Sequence, residues 1–333
     1  MLKKIMSLEV GHDIMAQNII EYARELSIKK LFNVSGFCAS WPTWKDKIHN
    51  DIISIPPTES QIYNIGDYLR EIFKTTGPEG RSQSDVSGGG ANWEALVCWY
   101  LNLCLIGRRT FVIKHNKDLI PSAVSNAVTV NYGTFKSNTE SDLIAITFPD
   151  KDDYLMDKDM IDVNDVNGNK IKTYSKGHFC FLPIINALTA RDFDEIEIHI
   201  IQCKTNWNDN AQIPMLWDAI YSANNFRNGI SVGTDGYSIH GTKRFTYSFA
   251  TVPSNKLFKE GRTQYKINST AVLRVTNLSG GNYWGLPSES GVASSIKELL
   301  ERNLSTGHSK RLLTTIKDFI PELATTYNYF DLL

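Results

Sequence analysis

Residues Glu195–Thr205 have the sequence EIEIHIIQCKT, which predicts a β-strand more clearly than any other segment of the chain. Side chains alternate between the two faces of a strand. One face therefore carries Ile198, Ile200, Gln202 and Lys204. That face is apolar along most of its length and ends in two polar side chains. Because buried polar groups need partners, this end of the strand predicts a functional site.

Length and cysteine usage indicate an ordinary globular protein. The 333 residues can bury a large core, as one big domain or two modest ones. The five cysteines are scattered and form no CxxC pair, which indicates reduced thiols and argues against a structural zinc site. No apolar run is long enough to span a bilayer, and the first residues, MLKKIMSLEVGHD, lack the apolar stretch of a signal peptide. We expect a cytoplasmic protein without a membrane partner.

Residues 1–80 are expected to form a helical N-terminal lobe without chemistry of its own. Apolar residues recur at helical spacing in Ile14–Leu26 and in Ile62–Phe73. A Pro-Pro break separates the two segments, with Thr58 or Ser60 as the predicted N-cap of the second helix.

Residues 81–225 are expected to form the core. A polar, Gly-rich stretch that ends at Asn92 leads into an apolar helix, Trp93–Ile106, and strands are predicted at Phe111–Lys114 and Asp142–Phe148. Residues 149–191 are predicted to be an inserted segment, because most of them are turn-rich and acidic. A hairpin turn is expected there at Asn167-Gly168.

Residues 226–333 are predicted to form a β-rich part followed by two helices, continuous with the core. Strands are expected at Thr246–Val252 and Thr270–Val275, and helices near Val292–Asn303 and Ser309–Leu323. A further helix, opened by Pro214, is expected to precede this part.

Charge is distributed unevenly along the chain, although its net value is only −1. Asn138–Ile200 contains 13 Asp and Glu against 6 Lys and Arg, a local charge of −7. Ser222–Arg311 contains 12 Lys and Arg against 5 Asp and Glu, a local charge of +7. A cation-loading site beside a polyanion-binding surface would need this arrangement, and solvated faces with chance clustering would also produce it.

The polar end of the predicted strand suits phosphodiester hydrolysis. Mg²⁺ prefers one or two carboxylates together with carbonyl and water oxygens, and it lowers the pKa of a bound water. Lys204 can orient that water and stabilise negative charge as it develops. Asp142, at the head of its own strand, and Glu94, on the apolar helix, are the candidate carboxylates. The alternatives are a strand cap for Asp142 and a first-turn helix carboxylate for Glu94.

The order of helix Glu94, strand Asp142 and strand Gln202-Cys203-Lys204 resembles the PD-(D/E)XK nuclease superfamily. It is most similar to type II restriction endonucleases that carry Gln-x-Lys instead of Glu-x-Lys. The resemblance implies an α/β (α+β) fold, a restriction-endonuclease-like α/β/α core in which helices flank a mixed central sheet. It also implies hydrolysis of double-stranded DNA with Mg²⁺, for which Mn²⁺ can substitute.

Carried over residue by residue, the resemblance makes Asp142 the central metal ligand and Lys204 the partner of the nucleophilic water. Gln202 holds the acidic motif position, the backbone carbonyl of Cys203 ligates the metal, and Glu94 is an auxiliary carboxylate. The sequence departs from the common pattern because Gln202 is neutral and because 60 positions separate Asp142 from Gln202. A homodimer and a cognate DNA methyltransferase as genetic partner are further expectations.

DNA contacts are expected mainly in the basic region that follows the core. The candidate residues are Arg227, Lys243, Arg244, Lys256, Asn206 and Asn208. The same region would also suit a solvated β-surface. Ser87-Gly88-Gly89-Gly90 lacks the Gly-Lys-Ser/Thr ending of a P-loop and is expected to contact the DNA backbone through its amides.

Two alternatives to a sequence-specific endonuclease stay open. One is a DNA-binding or assembly protein on a degenerate nuclease fold, suggested by the missing acidic residue at Gln202. The other is a nonspecific defence nuclease. Serine hydrolases with Gly-x-Ser-x-Gly and zinc peptidases with HExxH find no support, because neither motif is present.

Overall fold

The fold is taken from a computed structural model that describes residues 17–76, 83–114, 118–137, 141–205, 230–251, 283–285, 294–305 and 307–333. The helices in these ranges are α1 (Ile19–Phe32), α2 (Ser35–Asp51), α3 (Glu59–Lys74), α4 (Gln83–Cys104), α5 (Ser122–Val128), α6 (Asp152–Leu155), α7 (Phe181–Arg191), α8 (Ile296–Arg302) and α9 (Leu312–Phe319). The strands are β1 (Thr110–Lys114), β2 (Val130–Tyr132), β3 (Phe135–Ser137), β4 (Leu143–Thr147), β5 (Tyr174–Ser175), β6 (His178–Phe179), β7 (Glu197–Lys204), β8 (Ile230–Val232), β9 (Arg244–Thr251), β10 (Tyr283–Gly285) and β11 (Ser294–Ser295).

The main sheet of the described chain has six strands in the order β1-β4-β7-β9-β10-β11. β4 runs antiparallel to both β1 and β7, whereas β7, β9, β10 and β11 run parallel to one another. The expected mixed α/β class with a mixed central sheet is therefore confirmed. β7 lies in the interior of the sheet, where strands are covered on both faces.

Two apolar layers lie on opposite faces of this sheet. Ile201 and Cys203 of β7 belong to a layer with α2, α3, α4, α8 and α9. Ile198 and Ile200 belong to a second layer with α5, α7 and the start of α1. The predicted two-residue alternation along β7 is thus confirmed, and helices pack on both sides of the sheet.

The helices of the first 80 residues share their core with the sheet and with the C-terminal helices. Asn18 caps α1 by accepting hydrogen bonds from the amides of Ile20 and Glu21. Thr58, one of the two N-caps that the sequence predicts, caps α3 in a full capping box with Gln61. α1 through α3 therefore belong to the same packed unit as the sheet.

The apolar helix begins ten residues earlier than the sequence predicts. α4 extends from Gln83 to Cys104, so Ser87-Gly88-Gly89-Gly90 lies within a helix rather than in a turn. Amides inside a helix donate to the carbonyl four residues earlier and are not available to a phosphate. The expectation that this stretch contacts the DNA backbone through its amides is therefore wrong.

The connection between β4 and β7 is only partly peripheral. Its Asn167-Gly168 turn is present: the Asp165 amide donates to the Asn169 carbonyl at 2.8 Å, and Gly168 adopts a φ of 82°. Its last part forms α7, whose apolar residues enter the second core layer. The insertion expected over 149–191 stays a prediction, and its last part, α7, packs against the sheet because the sequence FLPIINAL buries apolar side chains there.

The two predicted C-terminal helices are present as α8 and α9, both shorter than expected. The helix predicted from Pro214 and the strand predicted at Thr270–Val275 lie outside the described residues. Within the part of the chain that the structure covers, no helix is long and apolar enough to cross a membrane.

Two glycines test the packing of α3 and α4. A Cβ on Gly66 would lie against the Tyr100 hydroxyl and 2.7 Å from its ring carbon Cζ, whereas a Cβ on Gly90 would meet no atom of the described residues within 4 Å, apart from its own helix backbone. We expect Gly66→Ala to lower the free energy of unfolding by about 1–3 kcal/mol. Gly90→Ala should raise it by about 0.5–1 kcal/mol, because alanine favours a helix.

Urea unfolding of the two variants beside the native protein measures both changes. A gain for Gly66→Ala would contradict the close approach of α3 to α4. A loss for Gly90→Ala would contradict the helical backbone of the Gly-rich stretch.

Candidate active site

The start of β4 and the end of β7 meet at one edge of the sheet. Leu143 lies opposite Ile201 in the antiparallel pairing, so Asp142, one residue earlier, lies opposite Gln202. The Asp142 carboxylate oxygen Oδ2 accepts a hydrogen bond of 2.7 Å from Gln202 Nε2 and another of 2.7 Å from the Cys203 amide. Two residues that are 60 positions apart in sequence are therefore in direct contact.

Lys204 joins this pair from the end of β7. Its ammonium nitrogen lies 3.6 Å from Asp142 Oδ2, an ion-pair distance, and its side chain is about one-quarter exposed. The shared face of Gln202 and Lys204, predicted from their spacing, is thus directed to one carboxylate. We name Asp142, Gln202, Cys203 and Lys204 the Asp142 cluster.

Cys203 contributes its backbone to the cluster rather than its thiol. Its side chain is buried in the layer that contains α4, and burial raises the thiol pKa well above its usual value. The amide and carbonyl of one strand residue face the same neighbouring strand. Because the Cys203 amide donates to Asp142, its carbonyl also faces the edge where Asp142 lies, as the expected metal ligand should.

Gln202 is almost fully buried, and its two amide atoms have different surroundings. Nε2 donates to Asp142, whereas Oε1 is buried and has no hydrogen-bond partner among the described residues. A buried acceptor without a donor is costly, and a cation or a water molecule would satisfy it. Oε1 is also the only atom of this side chain that can ligate a metal.

Glu94 is near the cluster but is paired elsewhere. It projects from α4, and its carboxylate lies 3.2 Å from the ammonium of Lys114 at the end of β1. Lys114 also donates to the Ala91 carbonyl at 2.9 Å, which fixes it against α4. Asp142 acts on Glu94 through its charge, because it is one of the groups that raise the Glu94 pKa.

Lys114 is the residue of this site that the sequence analysis missed. It ends a predicted strand, a position where a solvated lysine is common, and only its register opposite Leu143 brings it to this edge. With Lys114 included, the site contains two carboxylates and two ammonium groups. Each ammonium group therefore has a carboxyl group as its ion-pair partner.

Burial has the largest effect on the pKa of both carboxyl groups. It raises the pKa of Glu94, and the negative charge of Asp142 raises it further, while Lys114 and Lys204 act in the opposite direction. Burial also raises the pKa of Asp142, against the lowering effect of Lys204 and of the Cys203 amide. An added cation would favour the ionised form of both groups.

The donor set suits a hard cation held by few protein ligands. Among the described residues, no group of three or more His, Cys, Asp and Glu side chains is placed to hold a metal ion. Mg²⁺ does not require such a cage, because it retains several waters and uses one or two carboxylates. Asp142, Gln202 Oε1 and the Cys203 carbonyl fit that requirement, with Glu94 within electrostatic range.

Of the six residues predicted to contact DNA, only Lys243 and Arg244 lie within the described part of the chain. Lys243 and Arg244 lie at the opposite end of β7 from Lys204, since Arg244 pairs with Glu197. Each is 3.7 Å from the Glu197 carboxylate, and seven residues of strand, about 23 Å, separate them from the Asp142 cluster. The structure does not bring them to the cluster. Outside the described residues lie Arg227, Lys256, Asn206 and Asn208.

His199 of β7 is buried in the interior of the protein. Its Nδ1 lies 2.6 Å from the Thr246 hydroxyl, and burial lowers its pKa to about 3. The ring is therefore neutral at physiological pH.

No family model, curated protein or solved structure matches this chain. A function is therefore inferred from the geometry of the site and from the sequence resemblance.

The raised pKa of Asp142 predicts a pH-dependent change in stability. A carboxyl group whose pKa is higher in the folded state favours folding below its unfolded-state pKa, and this contribution is lost as the pH rises through the folded-state pKa. Asp142→Asn has no charge to bury and retains an oxygen that accepts hydrogen bonds. We expect this variant to unfold at a higher temperature than the native protein at pH 7 in EDTA.

Thermal unfolding in EDTA at two pH values measures the difference. At about pH 3.5, below the usual pKa of an aspartate, the advantage of Asp142→Asn should disappear. A variant that is less stable than the native protein at pH 7 would show that Asp142 is a structural strand cap.

Proposed function

We propose that the protein is a Mg²⁺-dependent, sequence-specific endonuclease that hydrolyses phosphodiester bonds of double-stranded DNA. The observation that carries the proposal is the Asp142 cluster. One carboxylate at a strand start is contacted by Gln202 Nε2 and the Cys203 amide, with the Lys204 ammonium 3.6 Å away. This arrangement agrees with the order of the residues that resemble a Gln-x-Lys restriction endonuclease, although 60 positions separate Asp142 from Gln202.

Asp142, Gln202 Oε1 and the Cys203 carbonyl are the groups that would hold Mg²⁺, or Mn²⁺ in its place. When bound, the metal supplies a water of lowered pKa and neutralises charge on the phosphate. Lys204 orients the attacking water and stabilises the negative charge that develops on the phosphate oxygens. The water oxygen forms a bond to phosphorus and releases a proton to solvent, while the bond from phosphorus to the leaving oxygen breaks and that oxygen takes up a proton.

Because Gln202 is neutral, this site has one negative charge fewer than a site with an acidic residue at position 202. A carboxylate at position 202 would lie within about 3 Å of Asp142, where two like charges resist ionisation together. The amide avoids that repulsion and donates a hydrogen bond instead. The metal-free site is consequently more stable and binds a cation less strongly than a site with two acidic residues.

The remaining parts of the proposal are a homodimer that cuts both strands and a cognate methyltransferase that protects host DNA. A restriction-endonuclease-like α/β/α core and a cytoplasmic location belong to it as well. The helices on both faces of the sheet support the core assignment. The acidic middle and basic C-terminal third of the chain support a DNA substrate.

A non-catalytic DNA-binding protein is the second candidate. It is favoured by one observation: Asp142 Oδ2 already accepts two hydrogen bonds, as the cap of a strand pair would. In that case the same contacts would stabilise the sheet and perform no chemistry.

Cleavage of plasmid and phage DNA in the presence and absence of Mg²⁺ distinguishes the two candidates. We expect discrete fragments with the native protein, no cleavage with Asp142→Ala, and a rate lower by about 10²–10³-fold with Lys204→Ala. Lys170→Ala is the matched control, because Lys170 is exposed and pairs with Asp162 in the distant hairpin. It should cleave as the native protein does.

Each alternative has its own outcome in this assay. Shifted but uncut DNA would support the binding protein, and random degradation would support a nonspecific nuclease. Full activity of Lys204→Ala or Asp142→Ala would contradict the assignment of the cluster. In Gln202→Glu, cleavage should be retained and half-maximal activity should require less Mg²⁺.

A further inference from the structure

A second polar cleft lies at the other end of the strands that form the proposed active site. It has a volume of about 410 Å³ and lies between the α4–β1 turn and the segment that leads into α9. Thr110 and Thr147 pair at this end of β1 and β4, whereas Lys114 and Leu143 pair at the end near Asp142. Five strand residues, about 16 Å, separate the two sites.

Arg108 is the main charged group of this cleft. The residue is only 4% exposed, and its Nη1 donates to two neutral acceptors, the Lys310 carbonyl at 2.6 Å and the Thr315 hydroxyl at 3.3 Å. Among the described residues no carboxylate lies within 4 Å of its guanidinium, and its Nε is buried without a hydrogen-bond partner. A buried charge without a counter-ion is costly, so this position predicts a bound anion.

His308 and Arg109 add two further groups suited to an anion. His308 Nε2 is buried without a partner in the described part of the chain, and burial together with the nearby arginines lowers its pKa to about 3. Its ring is therefore neutral and can offer an N–H in the appropriate tautomer. Arg109 donates to the Phe148 and Gly307 carbonyls, which fixes the wall of the cleft beside Arg108.

The acidic groups of the cleft do not neutralise Arg108. Asp318 lies 2.9 Å from the Lys310 ammonium, and Asp150 lies 3.9 Å from Arg109 Nε. Glu322 has a buried carboxylate oxygen without a hydrogen-bond partner among the described residues. That oxygen is an acceptor, and a hydroxyl group on a ligand would satisfy it.

We propose that this cleft binds a small phosphate monoester that carries hydroxyl groups, such as a nucleoside or sugar monophosphate. Arg108 is the counter-ion of the phosphate, because a guanidinium matches phosphate oxygens in a planar fork. His308 Nε2 donates to a phosphate oxygen, and Glu322 accepts from a hydroxyl of the organic part. The volume lies in the range of small-molecule sites.

Titration calorimetry on the full chain tests this proposal with three probes at matched ionic strength: adenosine monophosphate, inorganic phosphate and sodium chloride. We expect saturable binding of the monophosphate, weaker binding of phosphate and none of chloride. Arg108→Met should weaken binding of the monophosphate at least about tenfold, the loss of one charged hydrogen bond. Lys170→Gln is the matched control, since Lys170 is exposed, pairs with Asp162 and does not line the cleft, so the affinity of this variant should change less than about twofold.

His308→Ala and Glu322→Gln provide independent tests if Arg108→Met does not fold. His308→Ala should weaken both phosphate and the monophosphate. Glu322→Gln should weaken the monophosphate without weakening phosphate. The absence of saturable binding, or native affinity in Arg108→Met or in His308→Ala, would overturn the proposal.

Two further outcomes would overturn part of the assignment. Equal affinity for phosphate and for the monophosphate would contradict the role of Glu322 while supporting that of Arg108. Displacement of the bound monophosphate by a short DNA duplex would make the cleft a contact for the DNA backbone rather than a small-molecule site.

Discussion

The antiparallel pairing of β4 with β7 determines which side chains meet in the Asp142 cluster. Leu143 opposite Ile201 fixes Asp142 opposite Gln202, and no other register would bring these two side chains together. A shift by one residue would move Gln202 and Lys204 to the face of the sheet that packs against α4. Because β7 is buried on both faces along its length, polar chemistry is possible only where the strand ends.

The same constraint explains the electrostatics of the site. Burial raises the pKa of both Asp142 and Glu94, so the folded protein carries two carboxyl groups that resist ionisation. Lys204 and Lys114 compensate for part of this cost. Two buried carboxyl groups of this kind lower the stability of the metal-free fold, and the cation that we propose would restore it, in the way that functional sites commonly trade stability for function. Arg108, at the far end of the same strands, is also a buried ionisable group, and its charge is positive.

The sequence alone predicts the parts of the fold that depend on local pattern. The alternation in EIEIHIIQCKT, the strand after Asp142 and the Thr58 cap follow from rules that involve neighbouring residues. A functional site at the polar end of β7 could be predicted because buried polar side chains at a strand end need partners. No pattern in the 59 residues between Asp142 and Gln202 determines their register, which only the folded chain reveals.

Other features depend on tertiary packing, and sequence patterns miss them. α2 contains Gly36 and Pro42, both unfavourable in a helix, yet Phe37, Trp41 and Trp44 hold it in the core through their ring contacts. The Gly-rich start of α4 is helical because the apolar part that follows provides a nucleus from which the helix extends. Lys114 is a site residue only because the sheet order brings the end of β1 beside the start of β4. α7 belongs to the core only because it packs against the sheet.

We propose that the Asp142 cluster holds a divalent cation. Crystals of the protein grown with Mn²⁺ and measured at the manganese absorption edge test it directly. We expect an anomalous peak about 2.1–2.2 Å from an Asp142 carboxylate oxygen, bordered by the Cys203 carbonyl, with Gln202 Oε1 directed to the ion. If saturating Mn²⁺ gives no peak at this edge of the sheet and Gln202 Nε2 still donates to Asp142, the cluster is not a cation site.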